Sequence, residues 1–229
     1  MELIQALKKF GFTQQESLMY VTLCKMGAMT GYEAAKVSGI SRSNAYAALS
    51  SLVEKGGAIV SSEDSSKYTA IPREELILNL RRSCETTLDF LEENLPEQEE
   101  DEAPYLTISG YGNTIDKMKN MILLAKGWVY LSVSASTVAL LKAELQNCIE
   151  RELKVVILSD EDPHLSGVVY MHNDAAPENV RIIADTSEVI VGTLEVNKGQ
   201  CLYSKNKHLV SLMRESLLNE IELIKIRGV

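Results

Sequence analysis

The sequence is short of aromatic side chains and of cysteine motifs. One Trp and three Phe stand among 229 residues, so aliphatic side chains and Met must do most of the packing. The four cysteines, Cys24, Cys84, Cys148 and Cys201, are widely spaced and none forms C-x-x-C. That excludes a zinc site of known spacing and argues against a disulfide framework in a chain of this size. Only Cys201, with Lys205 and Lys207 nearby, has basic neighbours that argue for a lowered thiol pKa. No apolar run is longer than residues 121–125, far short of the ~20 residues that span a bilayer. The first residues, MELIQALKKFGF, carry an early Glu and no apolar block before a cleavage site, unlike a secretory signal. No strand is followed by G-x-G-x-x-G or a P-loop, so nucleotide binding has no motif behind it. A cytoplasmic protein with reduced thiols, no membrane partner, no cofactor and no metal is expected. His164 with Asp160 and Asp162 is the nearest approach to a metal cluster, and its spacing is not that of a ligand set.

Acidic residues outnumber basic ones by 32 to 23, but the excess is local. Residues 1–73 hold 8 basic and 6 acidic side chains, 74–102 hold 2 and 11, and 103–229 hold 13 and 15. The net charge of -9 therefore resides in one middle segment, and the first block is slightly basic. Nucleic-acid affinity depends on the local patch, so the global charge does not exclude it. In the middle segment Pro72 precedes a helical run with Glu74 and Glu75 in its first turn, favourable for the helix dipole. Leu76, Leu80, Cys84, Leu88, Leu91 and Leu95 follow at helical spacing, and Pro96 stops the run. This is either a solvated strut or an amphipathic dimerisation helix. The following EQEEDEAP reads as a linker, placing a domain boundary at about residues 96–104.

The first block has the layout of a helix-turn-helix with a wing. A short helix at 2–10 turns Leu3, Leu7 and Phe10 to one side. Thr13 and Glu16 form a capping box for a second helix that Gly27 ends. Thr30 opens a third, with Ala34, Ala35 and Val37 inward, closed by Gly39. Ser41 is placed to cap a fourth, running to about Lys55. Ala45, Ala48, Leu49, Leu52 and Val53 share one face of it. Ser43, Asn44, Ala47, Ser50 and Ser51 share the other, with no acid before Glu54. Small side chains permit close approach to a groove, and Asn reads adenine bidentately. Arg42 stands in the first turn, where recognition helices meet bases and phosphates. AIVSSEDSSKYTAI then reads as a hairpin wing turning at about residues 63–66. Lys67 is in reach of a phosphate, while Glu63 and Asp64 at the tip would repel one.

Segments 10–23, 27–56 and 67–72, above all S-G-I-S-R-S-N-A-Y-x-x-L-x-x-L-x-x-K-G, resemble the N-terminal winged helix of the TrmB family of transcriptional regulators. Ser41 stands where the family usually has Pro, and Gly57 where it has a larger apolar residue. The resemblance implies a regulator that binds double-stranded operator DNA as a homodimer. Its candidate contact residues are Arg42, Ser43, Asn44, Tyr46 and Lys67.

Residues 105–229 alternate between strand and helix patterns, which predicts a mixed or parallel sheet covered by helices. Strand-like runs lie at 106–110, 129–134, 154–160, 167–172, 179–185, 188–194 and 200–204. Helical runs cover 113–127, 136–152 and 207–224. This block is similar to the phospholipase D-like domain often attached to TrmB winged helices. Catalytic members carry H-x-K-x(4)-D before G-S-x-N. Asp185 and Gly192-Thr193 match the ends of that pattern, whereas Glu178, Val180 and Glu195 stand where His, Lys and Asn belong. Without a His nucleophile and a Lys on the phosphate, no catalytic residue is assigned.

The fold class is therefore α+β to α/β. Residues 1–73 form a winged helix-turn-helix. Residues 74–104 form a linker or dimerisation helix with an acidic linker. Residues 105–229 form a mixed α/β phospholipase D-like domain for effector binding or dimerisation. Ligands of open α/β sheets favour the carboxyl ends of strands, which points to Ser132, Ser134, Asp160 and Asp185 for a small-molecule effector, a sugar or another metabolite. All four also fit capping and turn roles. The expected function is a DNA-binding regulator rather than an enzyme. The rivals are a diverged phosphodiesterase using Asp185 or Glu178 and a winged-helix protein-interaction adaptor.

Overall fold

The computed structural model describes residues 2–61, 66–96, 105–174, 178–195 and 198–227. The wing tip with Glu63 and Asp64, and the linker at 97–104, lie outside the described residues. The chain divides into two units, Met1–Glu97 and Gln98–Val229. No described helix is long and apolar enough to cross a membrane.

The first unit runs α1 (Leu3–Lys8), α2 (Gln14–Met26), β1 (Met29–Thr30), α3 (Gly31–Ser38), α4 (Arg42–Glu54), β2 (Ala58–Ser61), β3 (Lys67–Ala70) and α5 (Arg73–Asn94). Two capping boxes fix its helix starts. The Thr13 N–H donates to Glu16 at 2.8 Å, and the Glu16 N–H to the Thr13 hydroxyl at 3.2 Å. Thr30 and Glu33 repeat both bonds at the head of α3, a second box that the sequence reading passed over. Gly39, at φ 72°, closes α3 in the left-handed region. Ala34, Ala35, Ala45 and Ala48 are all buried, so small side chains line both α3 and α4. Met19, Leu23, Leu49 and Leu52 fill the centre.

Several expectations for this unit are corrected. Leu3 and Phe10 are exposed, because α1 spans six residues and only Leu7 reaches the core. Gly11, at φ 83°, turns the chain so that Phe12 is buried instead. Val37 is exposed, since the last turn of α3 carries it away from α4. Ser41 precedes α4 without capping it; its hydroxyl lies 3.4 Å from that of Ser43. Ser51 is half-buried and donates to Glu16 at 2.7 Å, so it faces α2 rather than a groove. Gly57 has a simple reason: a Cβ there would lie 2.5 Å from Leu52 Cδ1. The strand β1, only two residues long, pairs with β3 (Met29↔Tyr68) and completes a three-stranded sheet β1-β3-β2.

In α5 only Leu76 is buried, with Leu80 half-buried against the first unit's core. Every residue from 81 to 96 is exposed, including Leu88, Phe90, Leu91 and Leu95. Four turns of amphipathic helix thus have no partner within the first unit, a state that is marginal in water for a helix alone.

The second unit comprises β4 (Tyr105–Ser109), α6 (Tyr111–Leu124), β5 (Trp128–Ser132), α7 (Ala135–Leu140), α8 (Lys142–Glu150), β6 (Lys154–Ser159), β7 (Val168–His172), β8 (Asn179–Ala184), β9 (Glu188–Glu195), β10 (Lys198–Ser204) and α9 (Lys207–Arg227). Seven strands make one mixed sheet in the order β4-β10-β9-β8-β5-β6-β7. β5, β6 and β7 are parallel neighbours, and the other pairs are antiparallel. Alternation along β6 sends Val155 and Ile157 into the cluster holding Met118, Ile122, Leu145 and Cys148. Val156 and Leu158 point the other way, onto Leu217 and Ile221 of α9. A strand covered on both faces reads as the continuous apolar run seen in its sequence. The single helix expected over 136–152 is two, α7 and α8, broken at the fully buried Leu141.

Candidate nucleic-acid interface and effector site

Burial of Ala45, Ala48, Leu49 and Leu52 leaves Ser43, Asn44, Ala47 and Ser50 exposed on the opposite face of α4. No acidic side chain precedes Glu54 on this helix. Arg42 is exposed in the first turn, and its guanidinium lies 4.2 Å from the centroid of the Tyr32 ring. A recess of ≈ 380 Å³ opens beside this pair, lined also by Lys36, Ile40 and Ser41. Tyr46 is 46% exposed, and its ring covers Gly31 so closely that a Cβ there would lie 2.4 Å from Tyr46 Cε1. Lys67 is exposed at the start of β3, opposite Thr30 and Ser61. The Thr30 N–H and hydroxyl hold the Glu33 carboxyl below its usual range, and the Lys67 charge adds to this. Arg42, Ser43, Asn44 and Tyr46 thus share the first two turns of α4, while Lys67 lies on the wing strand beside the head of α3.

The far end of α4 is anchored by a buried acid. Glu16 accepts from Lys55 Nζ at 2.7 Å and from the Ser51 hydroxyl at 2.7 Å, and Lys55 also donates to the Gly11 carbonyl at 2.8 Å. Burial pushes the Glu16 carboxyl up. The bonds from Lys55, the Thr13 N–H and Ser51 outweigh it, leaving the group below its usual range. Sequence reasoning found the capping role of Glu16 but not this second one, which needs the packing of α2 on α4. It also missed Tyr32 and Gly31, where the available signal was an aromatic residue in the first turn of a helix that it does not help to bury.

In the second unit, three of the four effector candidates meet at the carboxyl ends of β5 and β6. The Ser132 hydroxyl accepts from Arg181 Nη2 at 3.2 Å. Arg181 is paired with Glu220, which accepts from Asn173 Nδ2 at 2.9 Å. Ser134 accepts from the Thr137 N–H at the start of α7. Asp160 accepts from the Ala135 N–H at 2.7 Å and from the Ser159 hydroxyl at 3.1 Å, which holds its carboxyl low. Asp185 does not join them. β8 runs antiparallel to β5 with Ala184 opposite Val129, so Asp185 lies at the other end of the sheet. There its carboxylate accepts from the Lys126, Gly127 and Trp128 N–H groups at 2.7, 2.7 and 3.1 Å. Burial pushes the group up, and these three bonds bring it below the usual range.

Val180, in the place of a catalytic Lys, is buried in the core. Glu178 is half-buried and Glu195 exposed. Gly192 is obligatory, since a Cβ would lie 2.3 Å from the Gln200 carbonyl oxygen. A recess of ≈ 480 Å³ is lined by Ser109, Gly110, Thr193, Glu195, Lys198, Gly199 and Gln200, and takes in none of the four predicted effector residues. Burial pushes the Cys201 thiol up, the opposite of the lowering its basic neighbours suggest in the sequence. The Cys148 thiol is also raised by burial, although Arg151 lies 3.5 Å away, a neighbour the sequence reading discounted. Among the described residues no group of three or more His, Cys, Asp and Glu could hold a metal ion.

A three-helix core, a three-stranded wing sheet and a recognition helix whose exposed face carries no acid before Glu54 define the DNA-binding unit of a transcriptional regulator. Residues 7–74 match the family model described as the sugar-specific transcriptional regulator TrmB. Among curated proteins, the uncharacterized protein YrhO of Bacillus subtilis is 28% identical over 236 residues, covering 98% of this chain and 86% of its own length. The HTH-type sugar sensing transcriptional regulator TrmBL1 of Pyrococcus furiosus is 27% identical over 213 residues, covering 87% of this chain and 62% of its own length. Of the solved structures, the archaeal chromatin protein TrmBL2 superposes with a TM-score of 0.48 at 18% identity, covering 96% of this chain and 97% of that one. Nuc from Salmonella typhimurium, a phospholipase D family member, gives a TM-score of 0.39 at 16% identity, covering 54% and 94%.

Proposed function

We propose that this chain is a cytoplasmic regulator that reads double-stranded operator DNA through α4, pairs with a second copy through α5, and takes a small-molecule effector in its second unit. The observation that carries the reading is the exposed face of α4: Arg42, Ser43, Asn44, Ala47 and Ser50, small or basic throughout. The unpartnered turns of α5 support the homodimer, because a second α5 would cover Leu88, Leu91 and Leu95. A sugar is the first effector class to test, since TrmBL1 is named as sugar sensing.

The reading is non-enzymatic. An apolar Val180 where a phosphate would need Lys supplies no positive charge to a phosphodiester, and an Asp185 committed to three backbone N–H groups is held away from acid–base work. Genome-wide recovery of bound DNA, followed by fluorescence anisotropy on a recovered site across a salt series, tests the proposal. Salt-dependent preference for that site over scrambled duplex supports it. Absence of duplex binding favours the protein-interaction adaptor, and phosphodiester turnover that Asp185→Ala removes favours the enzyme.

A further inference from the structure

We infer that Tyr32 is a positioning residue for sequence reading: its ring holds the Arg42 guanidinium in the orientation that meets base edges. The inference deepens, and rests on, the DNA-reading role of α4. Arg42 is exposed and, among the described residues, makes no ion pair; the Tyr32 ring, 4.2 Å from its guanidinium carbon, is what orders it. Stacking uses the flat face of the guanidinium and leaves the N–H edge free. That edge makes bidentate bonds to a guanine or a phosphate. A carboxylate partner would have occupied the same edge.

Packing does not account for Tyr32. It is 47% exposed in a chain with few aromatic side chains, and it is no part of the buried core. Its position is nevertheless well fixed. The Thr30–Glu33 box sets the first turn of α3, with bonds of 2.8 and 3.2 Å. The preceding Gly31 admits the Tyr46 ring of α4 against its backbone. Two ring contacts therefore clasp the head of α3 to the first turns of α4. One fixes the helices to each other, and the other aims Arg42.

The test uses the full chain and a duplex that the wild-type chain selects, with scrambled duplex as reference. Tyr32→Leu is expected to weaken selected-site binding about two- to fivefold, the scale of an exposed cation–π contact, with scrambled-duplex binding unchanged. Tyr32→Phe, which keeps the ring, is expected to bind as wild type. In an Arg42→Ala background, Tyr32→Leu is expected to add no further loss, because the two residues act as one unit. Wild-type binding by Tyr32→Leu at an unchanged melting temperature, or losses that add in the double variant, would overturn the inference while leaving the DNA reading intact. If the wild-type chain shows no preference among duplexes, the DNA reading itself fails and takes the inference with it.

Discussion

Arg42 and Asn44 stand in solvent in the first turn of α4, so truncating either changes little in the folded chain and much at a groove. Arg42→Ala and Asn44→Ala should each weaken selected-site binding by ~1–3 kcal/mol in anisotropy titrations, with melting temperature unchanged. Glu16 is the opposite case. It is buried, it caps α2, and it receives Lys55 and Ser51 from α4. Glu16→Ala should cost the first unit ~1–3 kcal/mol in urea unfolding and loosen the end of α4. Glu16, Asp160 and Asp185 all hold their protons more weakly when folded than unfolded. Their stabilisation is therefore complete above the unfolded carboxylate pKa of ~4 and lost as pH falls through the lower folded values. Urea midpoints should stay level from about pH 7 to 5 and drop below about pH 4. Asp185→Asn should flatten the acid limb of the second unit.

At the level of helices and strands, the proposed dimer rests on α5. Leu88 and Leu91 are exposed and outside the first unit's core, so Leu88→Glu with Leu91→Glu should leave the fold of one copy intact. Sedimentation equilibrium should show a dimer for the wild type, as proposed, and a monomer for this variant. Most elements announced themselves through local chemistry. Thr13 and Glu16 are a cap that needs no tertiary context, Gly27 and Gly39 stop helices by conformation, and the run 154–159 alternates between two apolar faces. What escaped was what local pattern does not carry. β1 is two residues long and exists because β3 lies beside it. The break at the buried Leu141 is hidden by an apolar periodicity that runs on through it. The site divided in the same way. Ser132, Ser134 and Asp160 come together because consecutive parallel strands bring their ends together. Asp185 was misplaced because its location depends on the direction of β8, and the sequence of β8 is the same read for either direction.

Taken as a whole, the molecule carries little positive charge for a DNA binder: a surplus of two in residues 1–73 against a net of -9 for the chain. Non-specific affinity should be low, and the salt slope should report only a few neutralised phosphates per copy, at about -0.9 per phosphate. If the second unit takes an effector, a thermal-shift screen of sugars, sugar phosphates, nucleotides and other metabolites should give a hit. A stabilisation of about 2.7 kcal/mol is expected at a hundred times the dissociation constant. That hit should alter affinity for the selected duplex, and the duplex should alter affinity for the hit by the same factor.

The bonds from Asp185 also bear on how long the second unit survives once formed. They join residues 57 to 59 positions apart, across β5, α7, α8, β6, β7 and β8. Closing so long a loop is costly in entropy, and a contact made after the folding barrier acts on the unfolding rate rather than the folding rate. Stopped-flow measurements on Asp185→Asn should show a steeper rise in the unfolding rate than fall in the folding rate. One carboxylate at a hairpin corner would then act as a timer on the domain, setting how often the sheet comes apart rather than how readily it forms.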